Sequence, residues 1–282
     1  PAGTVTLANL AARAGQDAVA ENVRLELAVG SDEKQVQADV KALQGTVCKG
    51  TLALGDRPTR LRVFPEQDAW LQYEGSARLE KLSVPLLTRL LRPGGNVKTG
   101  TATLDLQEFS GTGTELADLL VDGSVLARDV NVVRTDVPVV DALIQAFNKA
   151  FAFDVTGLLR GANLDARFHM DDGIVTFTKT QAHHAIFRMI VEDGGTVNTN
   201  QQTVTLHVVG APPDLFERLR VPGVPLPDVL GGIIGKISGQ FVRVRVRGTW
   251  SNPTVRPAPF DDAKTGLLKI LEQLPGLGKS GT

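Results

Sequence analysis

Apolar and polar residues alternate along most of this chain with a period of two. The alternation is clearest in five segments, namely residues 23–29, 102–106, 164–170, 204–208 and 242–246. A strand with this pattern has one apolar face and one hydrated face, as in antiparallel sheets. We therefore expect an α+β fold that is mostly β, built as a curved antiparallel sheet or meander with short amphipathic helices between the strands.

Turn sequences subdivide the second half of the pattern. Asp171-Asp172-Gly173 and Asp193-Gly194-Gly195 are both typical of tight turns. Residues 164–210 are therefore predicted to form a meander of four strands, with breaks near Gly173, Gln181 and Gly194.

Helical spacing of apolar residues, at i, i+3/i+4 and i+7, replaces the alternation in four segments. These segments run from Val84 to Leu91, Pro138 to Phe151, Pro227 to Ile237 and Asp262 to Leu274. Proline near the start of the first two suits the first turn of a helix. Three glycines in the third segment each cost about 1 kcal/mol relative to alanine, or permit close packing.

The chain also contains a weak internal sequence repeat. Gly75-Ser76 leads through a strand pattern into Val84-Pro85 and a helix, and Gly123-Ser124 leads in the same way into Val137-Pro138, 48 residues later. Val224-Pro225 begins a partial third copy. The repeat indicates either structural repetition or a chance similarity of short motifs.

Charge and cysteine content exclude several classes of protein. The chain has 30 Lys+Arg and 31 Asp+Glu, so it lacks the basic excess of a general nucleic-acid binder, and we expect no nucleic-acid partner. A single cysteine, Cys48, excludes an internal disulfide framework and a cysteine-rich zinc module.

No apolar run approaches the roughly 18–20 residues of a membrane-spanning helix. The first residue is Pro1, which suggests a piece of a longer precursor and leaves room for a membrane anchor upstream.

Candidate catalytic and metal-binding residues are sparse. Neighbours on a strand point to opposite faces, so His183 and His184 do not share a ligand without a bulge. His169, His183 and His207 would converge only across adjacent strands, and surface or inter-sheet histidines are the favoured interpretation. Cys48 has no nearby base, and no nucleophile-elbow motif occurs. We expect no enzyme activity, no catalytic residue, no metal and no cofactor.

A basic stripe lies on the strand around residues 241–247. Arg243, Arg245 and Arg247 follow Phe241 at alternate positions, so they share one face. The stripe either contacts lipid headgroups or phosphates, or is a hydrated outer face that pairs with acidic residues.

Several motifs recur in the order seen in a known family. Residues 248–257 read Gly-Thr-Trp-Ser-Asn-Pro-Thr-Val-Arg-Pro after a final strand. Earlier come a Gly-led strand from Gly100, the Gly111-Thr-Gly113 motif, a loop with Gly123, and the strand–Asp-Gly–strand hairpin at Gly173. Over residues 73–257 this order resembles the AsmA-like C-terminal region of bacterial envelope proteins. Asp122 departs from the family, because many members have a second glycine there.

The resemblance implies a non-enzymatic function. AsmA-like proteins are elongated, groove-forming β structures of the bacterial envelope, anchored in the inner membrane and linked to lipid transport or outer-membrane assembly. It implies a periplasmic location, with lipid acyl chains as partners and membrane attachment through an anchor upstream of this chain. Ten apolar positions are expected to face lipid: Leu164, Ala166, Phe168, Met170, Val204, Leu206, Val208, Val242, Val244 and Val246.

Two other functions stay open. A structural or interaction scaffold, whose sheet is completely covered by the four helices, would bind no lipid. An enzyme would need a deep pocket that joins His169 or His207 to carboxylates. For domain organisation, we expect a continuous β-rich domain over residues 1–260, in which residues 1–72 match the family only in style. A C-terminal amphipathic helix and tail are expected over 261–282.

Overall fold

The computed structural model describes residues 2–14, 17–32, 34–65, 70–91, 96–115, 118–134, 138–151, 160–185, 187–212 and 241–259. These residues form fifteen strands and two helices. The first strands are β1 (Ala2–Ala14), β2 (Asp17–Ser31), β3 (Val36–Val47), β4 (Gly50–Leu54), β5 (Thr59–Val63) and β6 (Leu71–Ser83). Next come α1 (Val84–Leu91), β7 (Asn96–Thr112), β8 (Leu119–Arg134) and α2 (Pro138–Phe151). The chain continues with β9 (Arg160–Asp171), β10 (Ile174–His184), β11 (Phe187–Val191), β12 (Gly195–Asn198), β13 (Thr203–Ala211), β14 (Val242–Thr249) and β15 (Pro253–Pro257).

All fifteen strands belong to one antiparallel sheet. Its order is β1-β2-β3-β4-β6-β7-β8-β9-β10-β11-β13-β14-β15, while β5 bridges β3 and β6, and β12 bridges β10 and β13. Consecutive strands are therefore neighbours almost throughout, as expected for a meander. The prediction of an α+β, mostly β fold is confirmed. Residues 2–72 supply β1 to β5 and the start of β6 to this same sheet.

The predicted break near Gln181 is wrong. β10 continues through Gln181 to His184, so the region from β9 to β13 has five strands, and the turns near Gly173 and Gly194 are present. Thr178 pairs with Arg167 and Gln181 with Asp165, which places two residues of β10 opposite one of β9. This bulge interrupts the alternation locally without ending the strand.

Both predicted helices that fall within the described residues are confirmed. α1 spans Val84–Leu91 and α2 spans Pro138–Phe151. Each follows a strand that carries Gly-Ser and precedes its antiparallel neighbour, so β6-α1-β7 and β8-α2-β9 share one element order. The predicted helices at 227–237 and 262–274, and the motif at 224–225, lie outside the described residues.

The helices form two separate hydrophobic clusters on the sheet. The α1 cluster is made of Cys48, Leu82, Leu86, Ala102 and Ala127. The α2 cluster is made of Leu143, Ile144, Phe147, Phe187, Val204, Leu206, Val208, Val244 and Val246. Although α2 follows β8 in the chain, it contacts β14 and β15, so it crosses the sheet to cover distant strands.

Bulges with one residue at positive φ recur along the sheet. In β6, Leu79 pairs with Leu104 and Leu82 with Ala102, so two residues of β6 lie opposite one of β7. Lys81, at the bulge, has φ 55°. Leu79 and Leu82 consequently lie on the same face although they are three positions apart, and both contribute to the α1 cluster. Bulges bend a strand and increase its twist, which favours a curved sheet.

Bulges with one residue at positive φ also occur in four other strands. The positive-φ bulge residues there are Asn9 of β1 (58°), Asn22 of β2 (52°), Asp129 of β8 (51°) and Lys179 of β10 (48°). All are polar and exposed. Asparagine and aspartate tolerate this conformation better than most residues.

Candidate functional site

The candidate site is the apolar face of the sheet, on which both helices lie. Direct cross-strand partners have their side chains on the same face. One row of partners runs from β4 to β12: Leu54, Ala77, Leu106, Gly123, Phe168, Phe177 and Gly195. A second runs from β6 to β13: Gly75, Phe109, Val121, Met170, Val175, Val197 and Val204. A third runs from β3 to β9: Gly45, Leu52, Leu79, Leu104, Val125 and Ala166.

None of these three rows contains a polar side chain. Since neighbouring strands lie about 4.8 Å apart, a row of seven strands extends for about 29 Å. That length is comparable to the roughly 30 Å hydrocarbon thickness of a bilayer. A continuous apolar band therefore crosses most of the sheet, approximately perpendicular to the strands.

Aromatic side chains lie over two glycines of the apolar face. A Cβ atom on Gly123 would lie 2.8 Å from Phe168 Cζ, and one on Gly111 would lie 2.5 Å from Tyr73 Oη. In both cases the ring belongs to the direct cross-strand partner. The glycines let these side chains approach the backbone closely, and Phe168 keeps the face apolar at Gly123, whereas the Tyr73 hydroxyl lies over Gly111.

The four predicted lipid-facing residues of β9 lie on this apolar face. Ala166 and Met170 are buried. Leu164 is half-buried against the α1 cluster, and Phe168 is half-buried over Gly123. They therefore line the band between the two helices.

The six predicted residues of β13 and β14 lie on the same face beneath α2. Val204, Leu206, Val208, Val244 and Val246 are buried in the α2 cluster, and Val242 packs at its edge. Phe147 of α2 is fully buried among them. In this conformation α2 occupies the surface that a lipid chain would contact at this end of the sheet.

Strands β2 to β7 carry further apolar residues on this face that are not among the ten predicted lipid-facing positions. Leu27, Val40, Leu61 and Leu106 are all half-buried, and none belongs to either helix cluster. On the edge strand β1, Val5, Leu7 and Leu10 are each more than 40% exposed. In the sequence, the alternation in residues 23–29 and 102–106 was the signal that could have identified them. Only the strand register shows that these segments continue the same face as β9.

Three of the four histidines, His169, His183 and His207, lie on the polar face, whereas His184 pairs with Phe187 on the apolar face. His169 Nδ1 lies 2.8 Å from Asp122 Oδ1, and His207 Nδ1 lies 4.0 Å from Glu192 Oε2. Burial lowers the pKa of His183, as do the guanidinium groups of Arg188 and Arg128. Burial, followed by the charge of Arg243, also lowers the pKa of His207. Among the described residues, no group of three or more His, Cys, Asp or Glu side chains is placed to hold a metal ion.

The basic stripe is also on the polar face, opposite α2. Arg243 forms a bidentate ion pair with Glu192, with Nε–Oε1 and Nη2–Oε2 distances of 2.9 and 2.7 Å. Arg245 and Arg247 are exposed, and within the described ranges neither makes a salt bridge with a carboxylate. Pairing with acidic residues therefore accounts for one of the three arginines of the stripe.

Cys48 is a buried structural residue of the β3–β4 turn. Cys48 and Lys49 have φ angles of 46° and 65°, which is the pattern of a type I′ turn. The Cys48 amide donates to Val19 O at 2.7 Å, and its carbonyl accepts from Ser83 N at 2.8 Å. Burial raises the pKa of the thiol.

Across the described ranges, neither helix has the length and apolar character needed to cross a membrane. Comparison with family models, with curated proteins and with solved structures gives no significant match. The AsmA-like resemblance therefore stays a prediction based on the sequence motifs.

Proposed function

We propose that this chain is a non-enzymatic module that holds lipid acyl chains along the apolar face of its sheet. Such a module would contribute to phospholipid transport or outer-membrane assembly in the bacterial periplasm, attached to the inner membrane by a segment upstream of this chain. The single observation that carries the proposal is the apolar band, which crosses seven strands without a polar side chain.

The energetics of such a surface suit acyl chains. Transfer of each methylene group from water to an apolar surface contributes about 0.8 kcal/mol. A chain lying along half-buried residues such as Leu27, Leu61 and Leu106 would cover surface that neither helix cluster includes. Polar groups on this face are few, with Thr59 Oγ1 over Gly75 and Tyr73 Oη over Gly111, so an acyl chain would be held mainly by apolar contacts.

The alternative is a scaffold without bound lipid, and one observation favours it. At the β13–β14 end, α2 buries Phe147, Val208 and Val246 almost completely, as in an ordinary protein core. The alternative requires comparable cover over the rest of the band. Leu27 and Leu106 distinguish the two functions because they lie far from that cluster in the strand order.

A crosslinking experiment tests the proposal. The protein is produced in bacterial cells with a photoreactive amino acid at Leu27 or Leu106 on the apolar face. Matched controls carry it at Glu26 or Asp105, the preceding residues, whose side chains point to the opposite face. After irradiation, adducts are identified by mass spectrometry, and lipid that copurifies with the unmodified protein is measured in parallel.

We expect phospholipid adducts at Leu27 and Leu106 and few at Glu26 and Asp105. Equal adduct yields at all four positions would indicate non-specific contact and would contradict the proposal. An absence of both adducts and copurified lipid would favour the scaffold.

A further inference from the structure

The hairpin of β14 and β15 contains a second candidate site on the face opposite the apolar band. Arg245 pairs directly with Arg256 across the two strands, and Arg247 pairs with Thr254. These four side chains line a cavity of about 210 Å³. The cavity wall is formed mainly by the aliphatic stems of these side chains, which together carry three guanidinium groups and one hydroxyl, all able to donate hydrogen bonds.

Charge in this cavity is not balanced within the described residues. Like charges placed directly opposite each other on adjacent strands destabilise a sheet, and Arg245 and Arg256 are in that arrangement. All three arginines are exposed. The nearby Glu192 carboxylate is bound in a bidentate manner by Arg243 instead. In the part of the chain that is described, no salt bridge joins Arg245, Arg247 or Arg256 to a carboxylate.

The electrostatic environment of the neighbouring His207 is also positive. His207 lies directly opposite Arg245 on β13. Burial and Arg243 are the main causes of its lowered pKa, and the charges of Arg245 and Arg247 add to the same direction. Guanidinium groups bind phosphate oxygens through paired N–H donors, so a phosphate group is the complementary ligand.

The turn of the hairpin adds an apolar element beside the arginines. Trp250 is 40% exposed. Its indole Nε1 donates to Thr203 O at 3.2 Å, which fixes the ring at the end of the sheet. Tryptophan is enriched at membrane–water interfaces, where its ring lies at the level of the headgroups.

We propose that Arg245, Arg247, Arg256 and Thr254 form a docking surface for the phosphate groups of an anionic membrane. This surface lies on the polar face, so it is separate from the apolar band and does not depend on lipid being carried there. It would hold the β14–β15 end of the sheet against a bilayer surface.

Vesicle binding tests this docking surface. The probes are vesicles of phosphatidylcholine alone and of an equimolar mixture of phosphatidylcholine and phosphatidylglycerol. The chain has two tryptophans, so Trp70→Phe leaves Trp250 as a fluorescent reporter of the hairpin. In this background, R245Q/R247Q/R256Q removes the cluster, and R128Q/R160Q/R167Q removes three exposed arginines from β8 and β9 as the charge-matched control.

We expect binding to the anionic vesicles, with a blue shift of Trp250 emission and a loss of affinity as salt increases. Each arginine near an anionic surface contributes about fivefold in affinity, so the cluster variant should bind roughly 100-fold more weakly. The charge-matched control should retain most of the affinity.

Circular dichroism and urea unfolding establish that both variants are folded. The single variant Arg256→Gln, which relieves the like-charged pair, provides a milder test.

Three outcomes would overturn the proposal. The cluster variant and the control could weaken binding equally, which would indicate a general charge effect. The wild-type protein could bind neutral and anionic vesicles equally well. Finally, inorganic phosphate or a DNA duplex could bind in an arginine-dependent way while anionic vesicles do not, which would assign the cavity to another ligand. Lipid crosslinking at Leu106 is measured separately, so failure here leaves the acyl-chain proposal unaffected.

Discussion

Phe147 of α2 packs its ring against Phe187 of β11, with centroids 5.4 Å apart and an interplanar angle of 61°. Both rings are fully buried. This edge-to-face contact joins a helix that follows β8 to a strand much later in the chain. It is part of the packing that places α2 over this end of the apolar face.

Gly210 makes the contact possible. A Cβ atom on Gly210 would lie 2.5 Å from Phe187 Cζ and 2.7 Å from Phe147 Cε1. Gly210→Ala should lower the free energy of unfolding by about 1–3 kcal/mol, because the buried rings must shift. Urea unfolding measures the change. Gly30→Ala is the matched control, since no atom lies within 4 Å of its Cβ position, and it should change stability by less than about 0.5 kcal/mol. Equal effects at both sites would contradict this packing.

The bulge at Lys81 should reverse the usual preference of a strand for valine over glycine. Lys81 has φ 55°, a conformation that costs a non-glycine residue roughly 1–2 kcal/mol and that β-branched residues disfavour most. Lys81→Gly should therefore be more stable than Lys81→Val. At Arg78, a regular exposed position of the same strand, the order should be the opposite. The same order at both positions, measured by thermal or urea unfolding, would exclude the bulge.

The Arg243–Glu192 pair should contribute more to stability than an exposed pair. The two side chains are only 13% and 19% exposed. Glu192→Gln removes the carboxylate from the partly buried guanidinium and should cost about 2–3 kcal/mol. Glu80→Gln is the control, because the Arg78–Glu80 pair is 53% and 47% exposed, and exposed pairs are worth less than about 1 kcal/mol. A double-mutant cycle with Arg243→Gln isolates the interaction, and a coupling energy near zero would refute it.

Stability should fall between neutral and mildly acidic pH. The pKa values of His183 and His207 are lowered in the folded protein, so the unfolded chain binds more protons as pH falls below about 6.5. The contribution of these two histidines to stability is therefore complete above about pH 6.5. It decreases as the pH falls towards their lowered pKa values in the folded protein. His207→Gln should reduce this slope, measured by urea unfolding between about pH 7.5 and pH 5.5. An unchanged slope in the variant would show that His207 is not responsible.

The sequence by itself indicated five of the strands, the two described helices, and which side of those five strands is apolar. Alternation depends only on the two-residue period, and the helices Val84–Leu91 and Pro138–Phe151 follow from local spacing, so both could be predicted locally. The break assigned to Gln181 failed because a bulge changes the phase of alternation without ending the strand.

Only the tertiary structure decided how these faces combine. Strand register depends on long-range pairing, and it alone connects Leu54 of β4 to Phe177 of β10 in one continuous band. It also placed α2 over β14, which buries Val244 and Val246, while Leu27 and Leu106 lie outside both helix clusters. The alternation showed that each strand has an apolar side. Which part of that side lies beneath a helix depends on contacts between residues far apart in the chain, which local periodicity does not encode.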